Sequence, residues 1–157
     1  MGKSCCELGL NGAVTFAGFV SNEELGSLFR SCSIYVHPAI YDSRGDTEGL
    51  GVVLVEALSN RKPVVASKVG GIVDVIKDGE TGLLVPEKDP EAIAKAVLRL
   101  LDNPEYAKQL GEQGWAYAKD YFNWDRIIDR YEDIYCRCML SDRKLSPQPE
   151  DAQPATI

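Results

Sequence analysis

Two glutamates eight residues apart, Glu48 and Glu56, bracket the glycines of Gly49-Leu50-Gly51 and the aliphatic run that follows. A carboxylate accepts hydrogen bonds from two neighbouring hydroxyls, which suits it to the diols of a ribose or a hexose. Glycines let a ligand come close to the backbone. If a helix starts at Gly51, its free N–H groups favour a phosphate. Eight residues of helix cover about 12 Å, so the two carboxylates are spaced to straddle a diphosphate, one at a hexose and the other at a ribose. Their own charge repels phosphate, so they are expected to point at hydroxyls. Spacing alone leaves a second account open, in which Glu48 is a first-turn acid favoured by the helix dipole and Glu56 faces solvent.

Other side chains are less telling. His37 is the sole histidine; no convergent partner stands beside it in the sequence, and it reads as a structural residue at a strand end. Arg44, in the polar run before Glu48 with Asp42 and Asp46, either reaches a phosphate or is a solvated loop charge. Lys62 and Lys68 read as ordinary surface lysines. Gly70 and Gly71 either admit a substrate or serve a turn into a short helix. Tyr106, Tyr117 and Tyr121 read as packing residues. The sequence has no Asp-x-Asp pair, so no obligatory metal and no cofactor are expected.

The elements that must hold these residues follow from composition and pattern. At 157 residues with 45% hydrophobic content the chain suits one domain with its own core. A net charge of -7 argues against general affinity for nucleic acid or anionic membrane. No window approaches a membrane span, and a cytoplasmic protein is expected. The five cysteines, Cys5, Cys6, Cys32, Cys136 and Cys138, lack zinc-site spacing. They are expected to be reduced, with Cys32 and Cys138 as small apolar residues.

Short β-like runs alternate with helical patterns between residues 14 and 102, the pattern of an α/β domain with parallel strands. Four strands are expected, at 14–20, 34–36, 63–66 and 83–85. Ser21 with Glu24 reads as a capping box, and Val20 with Leu25 as its hydrophobic staple. The helix they open is expected to bury Leu25, Leu28, Phe29 and Cys32. From Gly51 the sequence reads as a helix apolar nearly all round, hence buried. Asp89-Pro90 and Asn103-Pro104 each open a further helix, the first carrying Ile93, Val97, Leu100 and Leu101 at helical spacing. A last helix from Trp124 carries Ile127, Ile128, Tyr131, Tyr135 and Cys138 along one face and is expected to pack on something. Residues 141–157, with three prolines and no apolar face, are expected to form a disordered tail.

The segment Glu48-Gly-Leu-Gly-Val-Val-Leu-Val-Glu56-Ala resembles the E-x7-E segment of the two-domain, GT-B retaining glycosyltransferases, the group of mannosyltransferases and glycogen-synthase relatives. Val14, Phe16 and Gly18 resemble that family's V-x-F-x-G strand and loop. Tyr35-Val-His-Pro38, Pro63-Val-Val-Ala-Ser67, Val69-Gly-Gly-Ile72 and Asp78-Gly-Glu-Thr-Gly82 follow its later motifs in order, and residues 124–135 resemble its closing helix. The resemblance covers nearly all of residues 8–139. It implies a Rossmann-like, donor-binding C-terminal domain, here residues 1–140, taking a UDP-, GDP- or ADP-linked sugar as substrate. It also implies a site: Glu48 holding hydroxyls of the donor hexose nearest the chemistry, Glu56 the ribose, Gly49, Leu50 and Gly51 the diphosphate, and Gly18, Phe19 and Val20 the base.

Compared with that family, the chain lacks the first two βα units, which in relatives carry the Arg and Lys that bind the diphosphate, and it lacks the acceptor-binding N-terminal domain. It is therefore expected to be a C-terminal fragment, or the product of a split gene, that needs an N-terminal domain or partner chain and is inactive or weakly active alone. The resemblance implies transfer of a hexose, with retention, to an unknown saccharide or lipid-linked acceptor. Two rivals stay open: a nucleotide-sugar epimerase of the same fold, and a non-catalytic module that binds a nucleotide sugar or docks on a partner.

Overall fold

The architecture follows from three short strands, each feeding a helix. A computed structural model describes residue 5, residues 7–10 and residues 12–145. Strands β1 (Tyr35–His37), β2 (Val64–Ser67) and β3 (Leu83–Val85) form a parallel sheet in the order β1-β2-β3. Tyr35 pairs with Val64, and Val65 with Leu83. All four residues of β2 are buried, as befits a central parallel strand covered on both faces.

Around the sheet lie α1 (Asn22–Ser31), α2 (Val52–Ser59), α3 (Ile72–Val75), α4 (Pro90–Leu101), α5 (Pro104–Tyr121) and α6 (Trp124–Leu145). The alternation of side chains along β2 divides the core in two. Val64 and Ala66 pack with Phe29 of α1, Leu54, Ala57 and Leu58 of α2, Ile72 and Val75 of α3, and Ala118 of α5. Val65 packs on the other face with Leu83, Val85, Leu100 of α4 and Leu110 of α5. Full burial of Leu54 and Leu58 is worth about 2 kcal/mol each.

The local signals act as the sequence reading expects at three helix starts. Ser21 and Glu24 make the reciprocal capping box of α1. Asp89 and Asn103 accept from the amides of Ala92 and Tyr106 and open α4 and α5 behind Pro90 and Pro104.

Four expectations are corrected. Residues 14–20 form no strand: the run makes no ladder, and Val14, Phe16 and Phe19 are exposed. β-propensity needs a partner strand, and among the described residues none lies beside this run. Leu28 and Cys138 are exposed rather than buried, because they fall on the outward sides of α1 and α6. The apolar stripe of α6 is not covered by the described residues: Trp124 is 75% exposed, Tyr131 60% and Tyr135 66%. Helix α6 also runs on through Leu145, past the start expected for the tail, since extending an established helix costs little per residue. Residues 146–157 lie outside the described residues. Among the described residues, no helix is long and apolar enough to cross a membrane.

Candidate functional site

The C-terminal ends of parallel strands are where α/β sheets bind ligands, and here all three ends are tied together by the loop between β1 and α2. Tyr41 in that loop donates its amide to Glu87 Oε2 beyond β3, at 2.8 Å, and its hydroxyl accepts from the amide of Gly70 beyond β2, at 3.1 Å. Asp42 shapes the tip, its Oδ1 accepting from the amides of Arg44 and Asp46. Thr47 donates its hydroxyl to the Ile40 carbonyl.

The stretch containing Glu48 lies flat on Gly70 and Gly71. The Gly71 amide donates to the Glu48 carbonyl at 3.3 Å. A Cβ on Gly71 would collide with the Gly49 carbonyl oxygen, and one on Gly70 with the Glu48 carbonyl and the Thr47 methyl. Gly70 also sits at φ +47°, where other residues are strained. These two glycines therefore serve close backbone approach to the loop, a third role beside the two the sequence left open.

Gly51 is the N-cap of α2 at φ +72°. It has no side chain to cap the helix; the Leu54 amide donates to the Gly51 carbonyl at 2.8 Å, and the amides of Val52 and Val53 receive no cap from a side chain. Leu50 beside it is 45% exposed. Glu48 turns toward the end of β1, its Oε2 3.6 Å from His37 Nε2. Glu56 is exposed and lines an open groove of about 440 Å³ between α1 and α2, with Asn22, Leu25, Gly26, Phe29 and Val52. Both carboxylates bear on Tyr35: burial raises its phenol above the ordinary tyrosine value, and the charges of Glu56 and then Glu48 raise it further.

The remaining expected site residues lie elsewhere. Val20 lines a different groove on α1, with Glu24 and Leu28, while Gly18 and Phe19 are exposed on the segment before it. Arg44 is exposed at the loop tip. Lys62 donates to the Arg30 carbonyl at the end of α1 and is engaged there. His37, read from sequence as structural, is the residue the structure adds to the site. Its position two residues after Tyr35 on one strand face was the available signal.

Comparison with known proteins agrees with this architecture. The family described as Glycosyl transferases group 1 matches residues 2–116. A D-inositol 3-phosphate glycosyltransferase of Streptomyces griseus is 34% identical over 142 residues, which is 90% of this chain but only 29% of that protein's length. The sucrose-phosphate synthase structure from Thermosynechococcus elongatus superposes with a TM-score of 0.75 at 32% identity, over 89% of this chain and 34% of that one. Anabaena HepE, solved with UDP-glucose, shares the fold with a TM-score of 0.75 at 24% identity, over 87% of this chain and 35% of its own. The chain thus spans about a third of the length of these proteins. With its α/β, Rossmann-like sheet of the GT-B type and this match over most of its length, the chain belongs to the group 1 glycosyl transferases.

Proposed function

We propose that this chain is the donor-binding part of a retaining glycosyltransferase that moves a hexose from a nucleoside diphosphate to an acceptor hydroxyl. The observation that carries the reading is Glu48 beside the glycine-led start of α2 and the end of β1, with Glu56 further along the same helix in the groove against α1. In this reading, Glu48 accepts from hexose hydroxyls and Glu56 from the ribose. The amides at Leu50 and Gly51 meet the diphosphate, Gly49 keeps the approach open, and Arg44 adds a cation from the loop tip. The bond that breaks joins the anomeric carbon to a diphosphate oxygen. Helix-end amides and cations stabilise the charge that develops on that oxygen, without an obligatory metal. The UDP-glucose of the HepE structure supports a nucleotide sugar as donor.

Relatives about three times as long support a further part of the enzyme, in the same or a partner chain, as the wall that binds the acceptor. The reading places the work in the cytoplasm. Calorimetry of the chain, alone and fused to the N-terminal part of a longer relative, against UDP-, GDP- and ADP-sugars tests the donor site. Saturable binding of one donor, weakened at least about ten-fold by E48Q, is expected. Binding unaltered by E48Q, or none in either form, overturns the reading.

A further inference from the structure

His37 Nε2 is shielded from solvent and has no hydrogen-bond partner. A native fold seldom leaves a buried polar nitrogen in that state, because its lost hydration is not replaced. On the other side of the ring, Nδ1 lies 3.4 Å from the Tyr35 hydroxyl, and the two rings stack at 6.1 Å between centroids. If the Tyr35 hydroxyl donates to Nδ1, the ring proton sits on Nε2. The polar group facing that proton is Glu48 Oε2, at 3.6 Å. That distance is just too long for a hydrogen bond, and a small turn of the Glu48 side chain closes it. Contacts of this kind tighten when a site fills.

We propose that His37 is a positioning residue for the donor hexose: its Nε2–H engages Glu48 Oε2 and leaves Oε1 to accept from the sugar. Tyr35 fixes the imidazole tautomer, so the relay runs from Tyr35 through His37 to Glu48. This inference rests on the donor-site reading of Glu48. It goes beyond that reading by assigning a role to the end of β1.

Because His37 is the sole histidine, its imidazole nitrogens are unambiguous in a ¹⁵N spectrum of the full chain. The expected result is a ring protonated on Nε2, whose Nε2 resonance moves in E48Q and stays in place in E56Q. Affinities for UDP-glucose and UDP, with the GDP and ADP pairs alongside, give the gain due to the sugar. H37F and E48Q are each expected to reduce that gain about ten-fold. The double variant is expected to do no worse than the poorer single one, and H37Q, which keeps an N–H donor, to retain most of the gain. An Nε2 signal indifferent to E48Q overturns the pairing whatever binds, as do independent, multiplying losses. If Nε2 responds to E48Q while neither E48Q nor H37F alters the sugar-dependent gain, the donor assignment of Glu48 falls, and the positioning role with it.

Discussion

The carbonyl oxygen of Gly49 occupies the space that a Cβ on Gly71 would need. Gly71 itself has φ -74° and ψ -2°, a conformation any residue adopts. The requirement for glycine there comes from its neighbour and not from its own backbone. A methyl group at 71 meets backbone, which has no rotamer to escape into. G71A is therefore expected to displace the 47–50 loop and weaken donor binding at least about ten-fold, the worth of one misplaced charge-assisted contact. The secondary structure should be retained. Amide spectra read the displacement and calorimetry the affinity. G49A has no such collision and should leave stability within about 0.5 kcal/mol; equal displacement by both would refute the argument.

Tyr35 gives a titration test of where the two carboxylates lie. Burial first, then Glu56, then Glu48 hold its phenol above the ordinary value. A group whose folded pKa is raised contributes stability below its unfolded pKa, near 10 for tyrosine, and loses it as pH rises through the folded value. Among the seven tyrosines, Tyr35 should be one of the late ones to ionise when followed by ¹³Cζ chemical shift. E56Q should bring it down more than E48Q does. An unchanged Tyr35 titration in both variants would remove the carboxylates from its surroundings.

What could be read from sequence was what is settled locally. The capping box of Ser21 and Glu24 and the Asp89-Pro90 and Asn103-Pro104 starts depend on neighbours within three residues, and so they are written in the chain. The central strand was legible as the apolar run Pro63-Val64-Val65-Ala66, its proline at the first position where a strand tolerates it. Residues 14–20 carry the same propensity, yet a strand exists only where another lies beside it. The stripe on α6 has the period of a buried face, and period does not say what covers it. Glu48 and Glu56 were visible by type and spacing. For His37 only its place on the strand face of Tyr35 was visible, because its approach to Glu48 depends on how the loop folds back over the end of β1. The pressing of Gly70 and Gly71 against that loop is equally a matter of tertiary contact.

The start of α1 sets the edge of the groove that Glu56 lines, so its cap has consequences beyond the helix. Glu24 accepts from the Ser21 amide at 2.8 Å and the Ser21 hydroxyl at 3.0 Å. These bonds, the amide's first, hold its carboxyl below the ordinary value. A depressed pKa contributes stability above the unfolded value and loses it as pH falls through the folded one. The S21A substitution should cost about 1 kcal/mol near neutral pH, measured by urea titration. The destabilisation caused by E24Q should shrink as the pH is lowered below the usual glutamate range. A deficit that is constant with pH would show that the Glu24 charge plays no part in the cap.

Helix α6 separates packing from pattern most clearly. Ile128 and Tyr131 look like core by spacing, but they are 50% and 60% exposed. Arg126 pairs with Asp120, joining the start of α6 to the end of α5, and exposed pairs of this kind add little. If the stripe is uncovered in solution, I128K with Y131K leaves the unfolding free energy within about 0.5 kcal/mol of the parent, as surface changes do. Leu58, by contrast, is fully buried between the sheet and α5, with Gly114 close against its side chain. There L58A removes apolar contacts that nothing nearby can replace, and about 2 to 5 kcal/mol should be lost. Urea unfolding of the three proteins at two concentrations decides the matter. A large, concentration-dependent loss in the lysine variant would mean that α6 is covered by a second copy of the chain in solution, and that the stripe is core after all.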